Sequence, residues 1–413
     1  MPLRILCTYS NSFGGGTESV LLAGLPLLSA SGKAQVTFAD LYSRASVIRK
    51  FVELGLNARP VATGSKSIVS SRSGILRKVD IAAAVPKHLW ITFRLISAMQ
   101  ANDVVYLHGY KDLVLCHAAR LALGARAPAA VWHCHGLGDP SGLPMLVPLA
   151  NRCSRVIAIS DDVRKHLVEA GVKSDIVSTI YNALDLDRVQ AASHLNPSRP
   201  LPANDGRKVI LVCPAAIRFA KGIHLAIAAL RDLPNAVVWI TGDESDPVAS
   251  PYLTDLRTLG FREGVSERVF FIGSRNDLPA VMSHVDVVCV PSVCREGFGL
   301  VAIEAMALGK PVVVSCRGAL PEIVNDGTTG LVFDPAHPGD LAKKLSTLMS
   351  DSRLAARIGA SGKRSVELRF TSDRWTREVL EQLAAAASSR GSGKKSKQKE
   401  ISAQENQPTG QAV

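Results

Sequence analysis

The sequence predicts an α/β protein made of two doubly wound, Rossmann-like domains, and three observations support this fold class. Short β-branched apolar runs alternate with amphipathic stretches of helical length, which is the pattern of a parallel sheet covered on both faces. The alternation stops at a stretch that contains Pro197, Pro200 and Pro202, and then starts again. A chain of 413 residues is also long enough to form more than one hydrophobic core.

Strands are predicted in both halves of the chain. In the first half they are Arg4–Tyr9, Val36–Asp40, Asp103–His108, Ala129–His133, Arg155–Ile159 and Ile176–Tyr181. In the second half they are Val209–Cys213, Ala236–Thr241, Arg268–Ile272, Val285–Val290, Pro311–Val314 and Gly330–Phe333. Helices between the later strands are predicted at Gly222–Arg231, Asp277–Ser283 and Leu300–Leu308. Because such sheets bind ligands beyond the carboxyl ends of their strands, functional residues are expected in the following loops, in the cleft between the domains.

The predicted domain boundaries follow these patterns. Residues 1–187 form an N-terminal Rossmann-like domain, 188–206 a linker, and 207–370 a C-terminal Rossmann-like domain. Residues 371–387 are predicted as a C-terminal helix that returns to the N-terminal domain. Residues 388–413 have almost no apolar side chain to bury, and this composition predicts a disordered basic and polar tail.

The formal charge of +12 indicates affinity for anions such as nucleic acid, anionic lipid or phosphorylated small substrates. Nucleic acid is not predicted as a partner, because aromatic residues make up only 5% and no nucleic-acid-binding motif is present. The N-terminus lacks the pattern of a secretory signal, and no apolar run reaches the length of a membrane span. A cytoplasmic protein is therefore predicted, with peripheral contact at the inner face of an anionic membrane left open.

No metal site is predicted. The eight cysteines are scattered and lie mostly in apolar stretches, as reduced thiols in a reducing compartment do. Cys289 and Cys294 lack a second pair at metal-ligand spacing. The segment 132–135, Trp-His-Cys-His, alternates in direction as strand residues do, and this pattern argues against a zinc site.

The most informative passage is the segment 290–311. It reads as a buried strand, a glycine-bearing loop and a helix that begins near Gly299, whose free N–H groups and dipole form an anion site. Glu296 precedes this helix and Glu304 follows eight residues later, too far along a helix for one acid–base pair. The two carboxylates suit the two ends of an elongated ligand with phosphates between them. The simpler alternatives are that Glu296 only complements the helix dipole and that Glu304 is a solvated helix residue.

Basic residues follow the first strand of the second half of the chain. Arg218 and Lys221 lie in the loop before Gly222, where a helix is predicted to begin. An arginine fork and a lysine ammonium together could neutralise a diphosphate as it leaves. An ordinary basic loop is the alternative.

In the first half, candidate residues follow three strands. The glycine loop 14–16 offers N–H groups to the cleft, but it matches neither the dinucleotide fingerprint nor a P-loop, so a plain turn is the alternative. His135 abuts a glycine at the end of one strand, and His108 ends a neighbouring strand. His135 is the better candidate for contact with substrate, whereas His133 is expected to be structural.

These motifs resemble those of the retaining, nucleotide-sugar-dependent glycosyltransferases of family 4. That family is similar to glycogen and sucrose-phosphate synthases and has the GT-B fold, two doubly wound Rossmann-like domains facing each other across a cleft. The most specific match is the E-x7-E segment from Glu296 to Glu304. Further matching segments are Arg218–Gly222, Phe271–Ser274, Val290–Ser292, Ala158–Ser160 and Tyr181–Asp185. Two departures are mild: the family often has glycine where Ala183 stands, and a segment that usually opens with glycine and arginine reads Ala216-Ile217-Arg218 here.

The resemblance implies how the chain holds a donor nucleotide. Glu304 would bind the ribose hydroxyls. Arg218 and Lys221 would bind the diphosphate and stabilise the leaving nucleotide. The N–H of Leu300 would help to hold the phosphate.

The resemblance also implies contacts with the transferred sugar. Glu296 would hydrogen-bond the sugar hydroxyls together with the backbone of Phe298 and Gly299. His135 would contact the sugar near the reacting carbon. Gly15 and Gly16 would close over the phosphate from the other domain.

The activity that the resemblance implies is transfer of a hexose-type sugar from a UDP- or GDP-linked donor to a glycan or lipid-linked acceptor, with retention of configuration. The pathway would be bacterial-type polysaccharide or glycolipid synthesis, with no cofactor. Asp185-Leu186-Asp187 formally has the D-x-D pattern of metal-dependent transferases of another fold. Because it follows the last strand before the linker, it is interpreted as a hinge segment, and no metal requirement is predicted.

Other classes remain as alternatives. A nucleotide-sugar epimerase or a phosphorylase could share the fold, but no lysine has a context suited to pyridoxal phosphate. A non-catalytic glycan-binding protein of the GT-B fold would use the same surface without turnover. Acceptor choice is assigned to first-domain loops such as the basic stretch 57–76, for which a solvated loop is the alternative.

Overall fold

The computed structural model describes residues 1–10, 16–42, 44–61, 75–136, 143–213, 216–245 and 250–405, with backbone alone for 75–85 and 390–405. The chain divides into two compact units. Unit 1 comprises Met1–Ala158, Arg164–Ile180 and Thr376–Val413, and unit 2 comprises Ile159–Val163 and Tyr181–Trp375. Each unit is built around its own parallel sheet, so the predicted fold class is confirmed.

The sheet of unit 1 has seven strands. They are β1 (Leu3–Tyr9), β2 (Ala34–Asp40), β3 (Asn57–Pro60), β4 (Val104–Leu107), β5 (Ala129–Cys134), β6 (Arg155–Ala158) and β7 (Val177–Thr179). They pair in parallel in the order β3-β2-β1-β4-β5-β6-β7. β3 was not predicted from the sequence, because it has no β-branched residue and ends in a proline that a sheet tolerates at its edge.

Helices connect the strands of unit 1, as parallel pairing requires. They are α1 (Gly16–Ala30), α2 (Ala45–Glu53), α3 (Ile75–Gln100), α4 (Tyr110–Leu123), α5 (Leu143–Ala150) and α6 (Asp161–Glu169). The first three residues of α6 belong to unit 2. The central strand β4 consists only of buried residues, Val-Val-Tyr-Leu. A strand covered on both faces reads as an unbroken apolar run, which is why the sequence predicts it clearly.

Unit 2 has a six-stranded parallel sheet. Its strands are β8 (Lys208–Val212), β9 (Ala236–Thr241), β10 (Val269–Gly273), β11 (Val287–Val290), β12 (Val312–Ser315) and β13 (Leu331–Phe333). Their order is β10-β9-β8-β11-β12-β13. All six were predicted to within two residues at each end, because they too are short apolar runs between polar turns.

The helices of unit 2 lie between these strands and after them. They are α7 (Leu186–Ser193), α8 (Ile223–Ala229), α9 (Ser250–Arg262), α10 (Leu278–Ser283), α11 (Leu300–Ala307), α12 (Leu320–Ile323), α13 (Asp340–Ser350) and α14 (Ser352–Arg369). The core between sheet and helices includes Ile210 of β8, Val238 of β9 and Ile227 of α8, all fully buried. This core fixes the strand ends from which the candidate site is built.

The segment that the sequence predicts as hinge and linker differs in the structure. Leu186–Ser193 is a helix, α7, and the carboxylate of Asp185 accepts a hydrogen bond from the backbone N–H of Arg188 at 3.0 Å. Asp185 is thus an N-cap, a role for which aspartate is favoured. The D-x-D pattern is therefore the start of a helix rather than a hinge, and the three prolines follow it.

The C-terminal helix α15 (Ser372–Glu405) begins in unit 2 and continues in unit 1 from Thr376. It passes residue 388, where the sequence predicts a disordered tail. The stretch contains four lysines, which are good helix formers, and its first proline is Pro408. Among the described helices of the chain, none combines the length and apolar character that a membrane span needs.

Candidate functional site

The loop between β11 and α11 forms the centre of the candidate site in unit 2. Gly299 adopts a left-handed conformation with φ of +107° and is the N-cap of α11. A Cβ atom on Gly299 would lie 2.7 Å from Leu320 Cδ2, so only glycine fits without displacing that side chain. Phe298, just before it, is buried. The predicted helix start near Gly299 is therefore confirmed. The first turn of α11, whose backbone N–H groups have no partner within the helix, comes directly after Gly299.

Glu296 is held in this loop by two side chains. Lys221 Nζ lies 2.8 Å from Glu296 Oε2, and the hydroxyl of Ser292 donates a hydrogen bond to the same oxygen at 2.8 Å. The Glu296 carbonyl also accepts a hydrogen bond from the N–H of Ala319 at 2.9 Å. Glu296 is thus oriented by a lysine and a serine, and it does not serve merely to complement the helix dipole.

Lys221 is brought to Glu296 by the packing of two loops. The N–H of Val293 donates to the Ala220 carbonyl at 3.0 Å, which joins the loop after β8 to the loop after β11. Gly222, with φ of +66°, allows close approach, because a Cβ there would lie 1.8 Å from the Pro291 carbonyl oxygen. Lysine has three donors, so Lys221 can contact an anion while it remains bound to Glu296.

Arg218 lies at the start of the same loop, before the 3₁₀ turn Phe219–Lys221. Its side chain is half-buried, and its guanidinium approaches the Ile217 carbonyl at 3.4 Å. The structure therefore places Arg218 and Lys221 in one loop after β8, as the sequence predicts. The sequence did not predict the ion pair between Lys221 and Glu296.

Glu304 lies about one turn into α11, because that helix begins only at Leu300. The spacing between Glu296 and Glu304 is thus part loop and part helix. The Glu304 carboxylate makes no hydrogen bond or ion pair with any residue of the described part of the chain. Burial raises its pKa to about 7. A half-buried carboxylate with this pKa is poised to accept hydrogen bonds from a ligand.

Three histidines form a cluster at the ends of β4 and β5 in unit 1. His108 Nδ1 lies 2.9 Å from His135 Nε2, and the Tyr106 hydroxyl lies 2.6 Å from His133 Nδ1. Burial lowers the pKa of all three imidazoles, that of His135 to about 3, so they are neutral. Their candidate ligand nitrogens all lie within 4.8 Å of one another, so the cluster could hold a metal ion.

The prediction that no metal site exists at this segment overlooks the two-residue period of strand side chains. Residues i and i+2 of a strand point to the same face, so His133 and His135 lie side by side, with Cys134 on the other face. His108 then joins them from the neighbouring strand, where it follows Leu107, the partner of Trp132. His133 is hydrogen-bonded to Tyr106, which agrees with the expectation that His133 is structural.

The glycine loop of unit 1 is only partly described. Gly15 lies outside the described residues, whereas Gly16 is the first residue of α1 and is exposed. Most of the basic stretch 57–76 also lies outside them. The parts that are described form β3 and the start of α3.

Ser160, in one of the segments that resemble the family, also supports the site in unit 2. The Ser160 hydroxyl donates to the Gly297 carbonyl at 2.9 Å and accepts from the N–H of Val163 at 3.1 Å. Ser160 therefore both caps α6 and fixes the peptide that follows Glu296. The Ala-Ile-Ser segment at the end of a predicted strand is the only sequence signal for it.

Comparison with known proteins agrees with this arrangement. Residues 198–365 match the family described as glycosyl transferases group 1, and residues 61–188 match the one described as glycosyltransferase family 4. Among solved structures, Anabaena HepE in complex with UDP and glucose has a TM-score of 0.76 at 23% identity, covering 92% of this chain and 99% of that chain. Sucrose-phosphate synthase from Thermosynechococcus elongatus has a TM-score of 0.72 at 20% identity, covering 93% and 100%.

Two curated relatives illustrate the sequence similarity. A D-inositol 3-phosphate glycosyltransferase of Mycobacterium sp. (strain KMS) is 34% identical over 177 residues, which is 42% of this chain and 39% of the relative. The match thus spans well under half of that relative's length. A GDP-mannose-dependent alpha-(1-6)-phosphatidylinositol monomannoside mannosyltransferase of Mycobacterium tuberculosis (strain ATCC 25618 / H37Rv) is 29% identical over 303 residues, 68% of this chain and 74% of that protein.

The two parallel sheets and the structural neighbours define the class: this is a protein of the GT-B fold, as the sequence predicted. The two family matches together cover most of the chain, one in each half. Both halves of the chain therefore match models of glycosyltransferase families, the first half that of family 4, and the resemblance stated from the sequence is confirmed.

Proposed function

We propose that the protein is a retaining glycosyltransferase that moves a hexose-type sugar from a UDP- or GDP-linked donor to a glycan or lipid-linked acceptor, in polysaccharide or glycolipid synthesis. The observation that carries the proposal is the pairing of Lys221 with Glu296 beside the N-terminus of α11, with Glu304 one turn further along that helix. This arrangement suits a ligand with a sugar, a diphosphate and a ribose in sequence.

The donor diphosphate is assigned to the loop after β8 and the start of α11. Arg218 and Lys221 supply positive charge, and the first N–H groups of α11 supply hydrogen-bond donors. Glu304 accepts hydrogen bonds from the ribose. The names of relatives support a nucleotide-sugar donor, since one is called GDP-mannose-dependent and its acceptor, a phosphatidylinositol monomannoside, is a lipid.

In the proposed reaction, the acceptor hydroxyl attacks the anomeric carbon on the face from which the nucleotide leaves. The bond between that carbon and the phosphate oxygen breaks, and the leaving phosphate takes the hydroxyl proton. Glu296 is bound by Lys221 and Ser292, which suits a residue that orients sugar hydroxyls better than a covalent nucleophile. Catalysis then depends on positioning and on charge stabilisation of the diphosphate.

A panel of UDP-, GDP- and ADP-sugars tests the proposal by thermal shift and by release of nucleotide. One donor is expected to stabilise the wild type and to be turned over, and to have little effect on Glu304→Ala and Arg218→Ala. Absence of a response to every donor would contradict the proposal and favour a non-catalytic glycan-binding protein. Interconversion of free nucleotide sugars without transfer would favour an epimerase.

The raised pKa of Glu304 predicts a pH dependence of nucleotide binding. In the protein without nucleotide, Glu304 is protonated below about pH 7. The contribution of this protonated carboxyl to the free energy of unfolding is full below the ordinary carboxyl pKa and is lost as the pH rises through 7. Ribose hydroxyls that donate to the carboxylate favour its ionised form. Nucleotide affinity is therefore expected to rise with pH and to level off above about 7, with proton release on binding at lower pH.

Calorimetry in buffers of different ionisation enthalpy measures this proton release. Glu304→Gln is the matched variant, because it keeps the shape of the side chain and cannot ionise. Protonation of the nucleotide phosphate is the same for both proteins, so the difference between them isolates Glu304. Equal proton release by wild type and Glu304→Gln would show that this carboxyl does not change its charge on binding.

Removal of divalent cations is expected to leave the transfer rate unchanged, because Arg218 and Lys221 supply the positive charge that a metal ion provides in other transferases. Initial rates after dialysis against excess chelator measure this. Loss of activity that a divalent ion restores would contradict the prediction, and the three histidines at the ends of β4 and β5 would then be the first residues to replace.

A further inference from the structure

Helix α3 of unit 1 has an apolar outer face as well as an apolar inner face. The inner face consists of fully buried residues spaced four apart, Ile91, Leu95 and Met99. The outer face carries Leu89, Trp90 and Phe93, which are 65%, 42% and 69% exposed. A helix that covers one side of a core usually presents polar residues to solvent. The outer apolar face of α3 is therefore not explained by the core of unit 1.

Helix α4 repeats this arrangement. Leu113 and Cys116 point inwards and are fully buried, whereas Tyr110, Val114 and Leu121 are exposed. The exposed residues are spaced by four and then seven positions, so they lie along one stripe of the helix. α4 thus also presents large apolar side chains to solvent in addition to those that it packs on the sheet.

The two helices cover the same face of the unit 1 sheet. α3 connects β3 to β4 and α4 connects β4 to β5, and both connections move across the sheet in the same direction. Because crossovers between parallel strands are right-handed, both helices lie on one face, where they pack against each other. Their exposed stripes together are called the α3–α4 surface, which consists of Leu89, Trp90, Phe93, Tyr110, Val114 and Leu121.

Large exposed apolar residues are concentrated on the α3–α4 surface. Six of the fifteen in the described part of the chain belong to it. Single exposed apolar residues are normal on a protein surface, but a contiguous patch of several hundred Å² marks a site of interaction. Two adjacent helices with such stripes therefore indicate a partner with an apolar phase of its own.

The charges around the α3–α4 surface are mostly positive. The stretch 86–126 contains five basic residues, Lys87, Arg94, Lys111, Arg120 and Arg126. Its two acidic residues are Asp103 and Asp112. Asp112 is fully buried, and Asp103 is bound by Arg4 at 2.7 Å. Within this stretch, no carboxylate is both exposed and without a basic partner, so the surface is complementary to an anionic partner.

Two aromatic rings of the surface lie next to cations. The guanidinium carbon of Arg94 is 5.6 Å from the centroid of the Trp90 ring, and Lys111 Nζ is 6.0 Å from that of Tyr110. Aromatic rings beside basic groups suit the boundary between acyl chains and anionic headgroups. Anchors at protein interfaces fill pockets of the partner, whereas a bilayer accepts convex helical ridges without a matching cleft. These features together favour a lipid surface over a protein.

We propose that the α3–α4 surface docks on an anionic lipid bilayer. Leu89, Trp90 and Phe93 enter the region between headgroups and acyl chains, and Arg94 and Arg126 contact lipid phosphates. This inference goes beyond the proposed function, because docking requires neither a donor nor sugar transfer.

Flotation of the full chain with vesicles measures docking. The wild type is expected to bind vesicles that contain phosphatidylglycerol and to bind pure phosphatidylcholine much more weakly. Leu89→Gln/Phe93→Gln is expected to weaken binding by at least about tenfold, because two apolar side chains no longer enter the bilayer. The matched control is Phe261→Gln/Leu368→Gln, which replaces two exposed apolar residues of unit 2 and is expected to bind as the wild type does.

The charge contribution is measured with Arg94→Gln and Arg126→Gln. Each is expected to weaken binding to phosphatidylglycerol vesicles about fivefold at low salt and to leave binding to phosphatidylcholine unchanged. Added sodium chloride is expected to reduce this difference, because salt screens exposed charges. All variants alter exposed side chains, so their melting temperatures are expected to match that of the wild type.

Trp90 reports directly which surface enters the bilayer. The other tryptophans of the chain, Trp132, Trp239 and Trp375, are buried. Phosphatidylglycerol vesicles with brominated acyl chains are therefore expected to quench the emission of Trp90 alone. Trp90→Phe is expected to lose this quenching and to retain most of the binding, since phenylalanine is also an apolar aromatic residue.

The inference is overturned if the wild type does not bind anionic vesicles, or if wild type and Leu89→Gln/Phe93→Gln bind them equally. Binding without quenching of Trp90 also overturns it, because the contact would then lie elsewhere, for example at the basic stretch 390–399. Light scattering gives a further test: self-association that Leu89→Gln/Phe93→Gln abolishes, without vesicle binding, would identify a second copy of the chain as the occupant. None of these outcomes changes donor turnover, whose absence overturns the proposed function alone.

Discussion

Replacement of Lys221 by alanine is expected to lower kcat for sugar transfer by about 10²–10³-fold. Lys221 Nζ lies 2.8 Å from Glu296 Oε2. The loop that carries Lys221 packs against the loop between β11 and α11. Negative charge accumulates on the diphosphate as its bond to the sugar breaks. Loss of a preorganised positive charge therefore raises the energy of the transition state more than that of the bound donor. Initial rates at saturating donor measure the effect.

Two variants separate the role of the charge from that of the ion pair. Lys221→Arg keeps a positive charge and is expected to retain more activity than Lys221→Ala, although its planar fork differs from an ammonium. Lys208→Ala is the control, because Lys208 also forms an ion pair in unit 2, with its Nζ 2.9 Å from Asp286 Oδ1. An equal loss for Lys208→Ala and Lys221→Ala, or a change in KM alone, would show that Lys221 does not act in the transition state.

The pair formed by Lys221 and Glu296 illustrates how far the sequence predicts the site. Each residue follows a predicted strand, and each was assigned a role from its position and chemistry. Their contact was not predicted, because 75 residues separate them and their side chains meet only where the loop after β8 packs against the loop after β11. Strand ends are readable from apolar periodicity, whereas loop-to-loop contacts depend on tertiary packing.

Elements with weak local patterns were also missed, for a physical reason in each case. β3 has a polar, proline-terminated sequence that only an edge position tolerates. α7 lies where prolines suggested a linker, yet its N-cap Asp185 marks a helix start by a standard signal. The histidine cluster required correct use of the two-residue period of a strand.

Gly222 links the stability of unit 2 to its candidate site, and its replacement by alanine is expected to damage both. A left-handed residue with a Cβ costs about 1–2 kcal/mol, and the Cβ would also overlap the Pro291 carbonyl oxygen at 1.8 Å. Relief of such an overlap by backbone movement costs about 1–3 kcal/mol more. The total loss in the free energy of unfolding is therefore expected to be about 2–5 kcal/mol.

Gly264→Ala is a matched control, because Gly264 has the same φ of +66° in unit 2 but nothing lies within 4 Å of the position of its Cβ. It is expected to show the conformational cost alone, about 1–2 kcal/mol, with unchanged nucleotide affinity. Gly222→Ala should unfold at lower temperature than Gly264→Ala and bind nucleotide more than tenfold more weakly, since movement of Pro291 shifts Ser292, which holds Glu296. Equal melting temperatures and affinities for the two variants would mean that the two loops can separate without disturbing Glu296, and the geometry of the Lys221 pair would then not be set by Gly222.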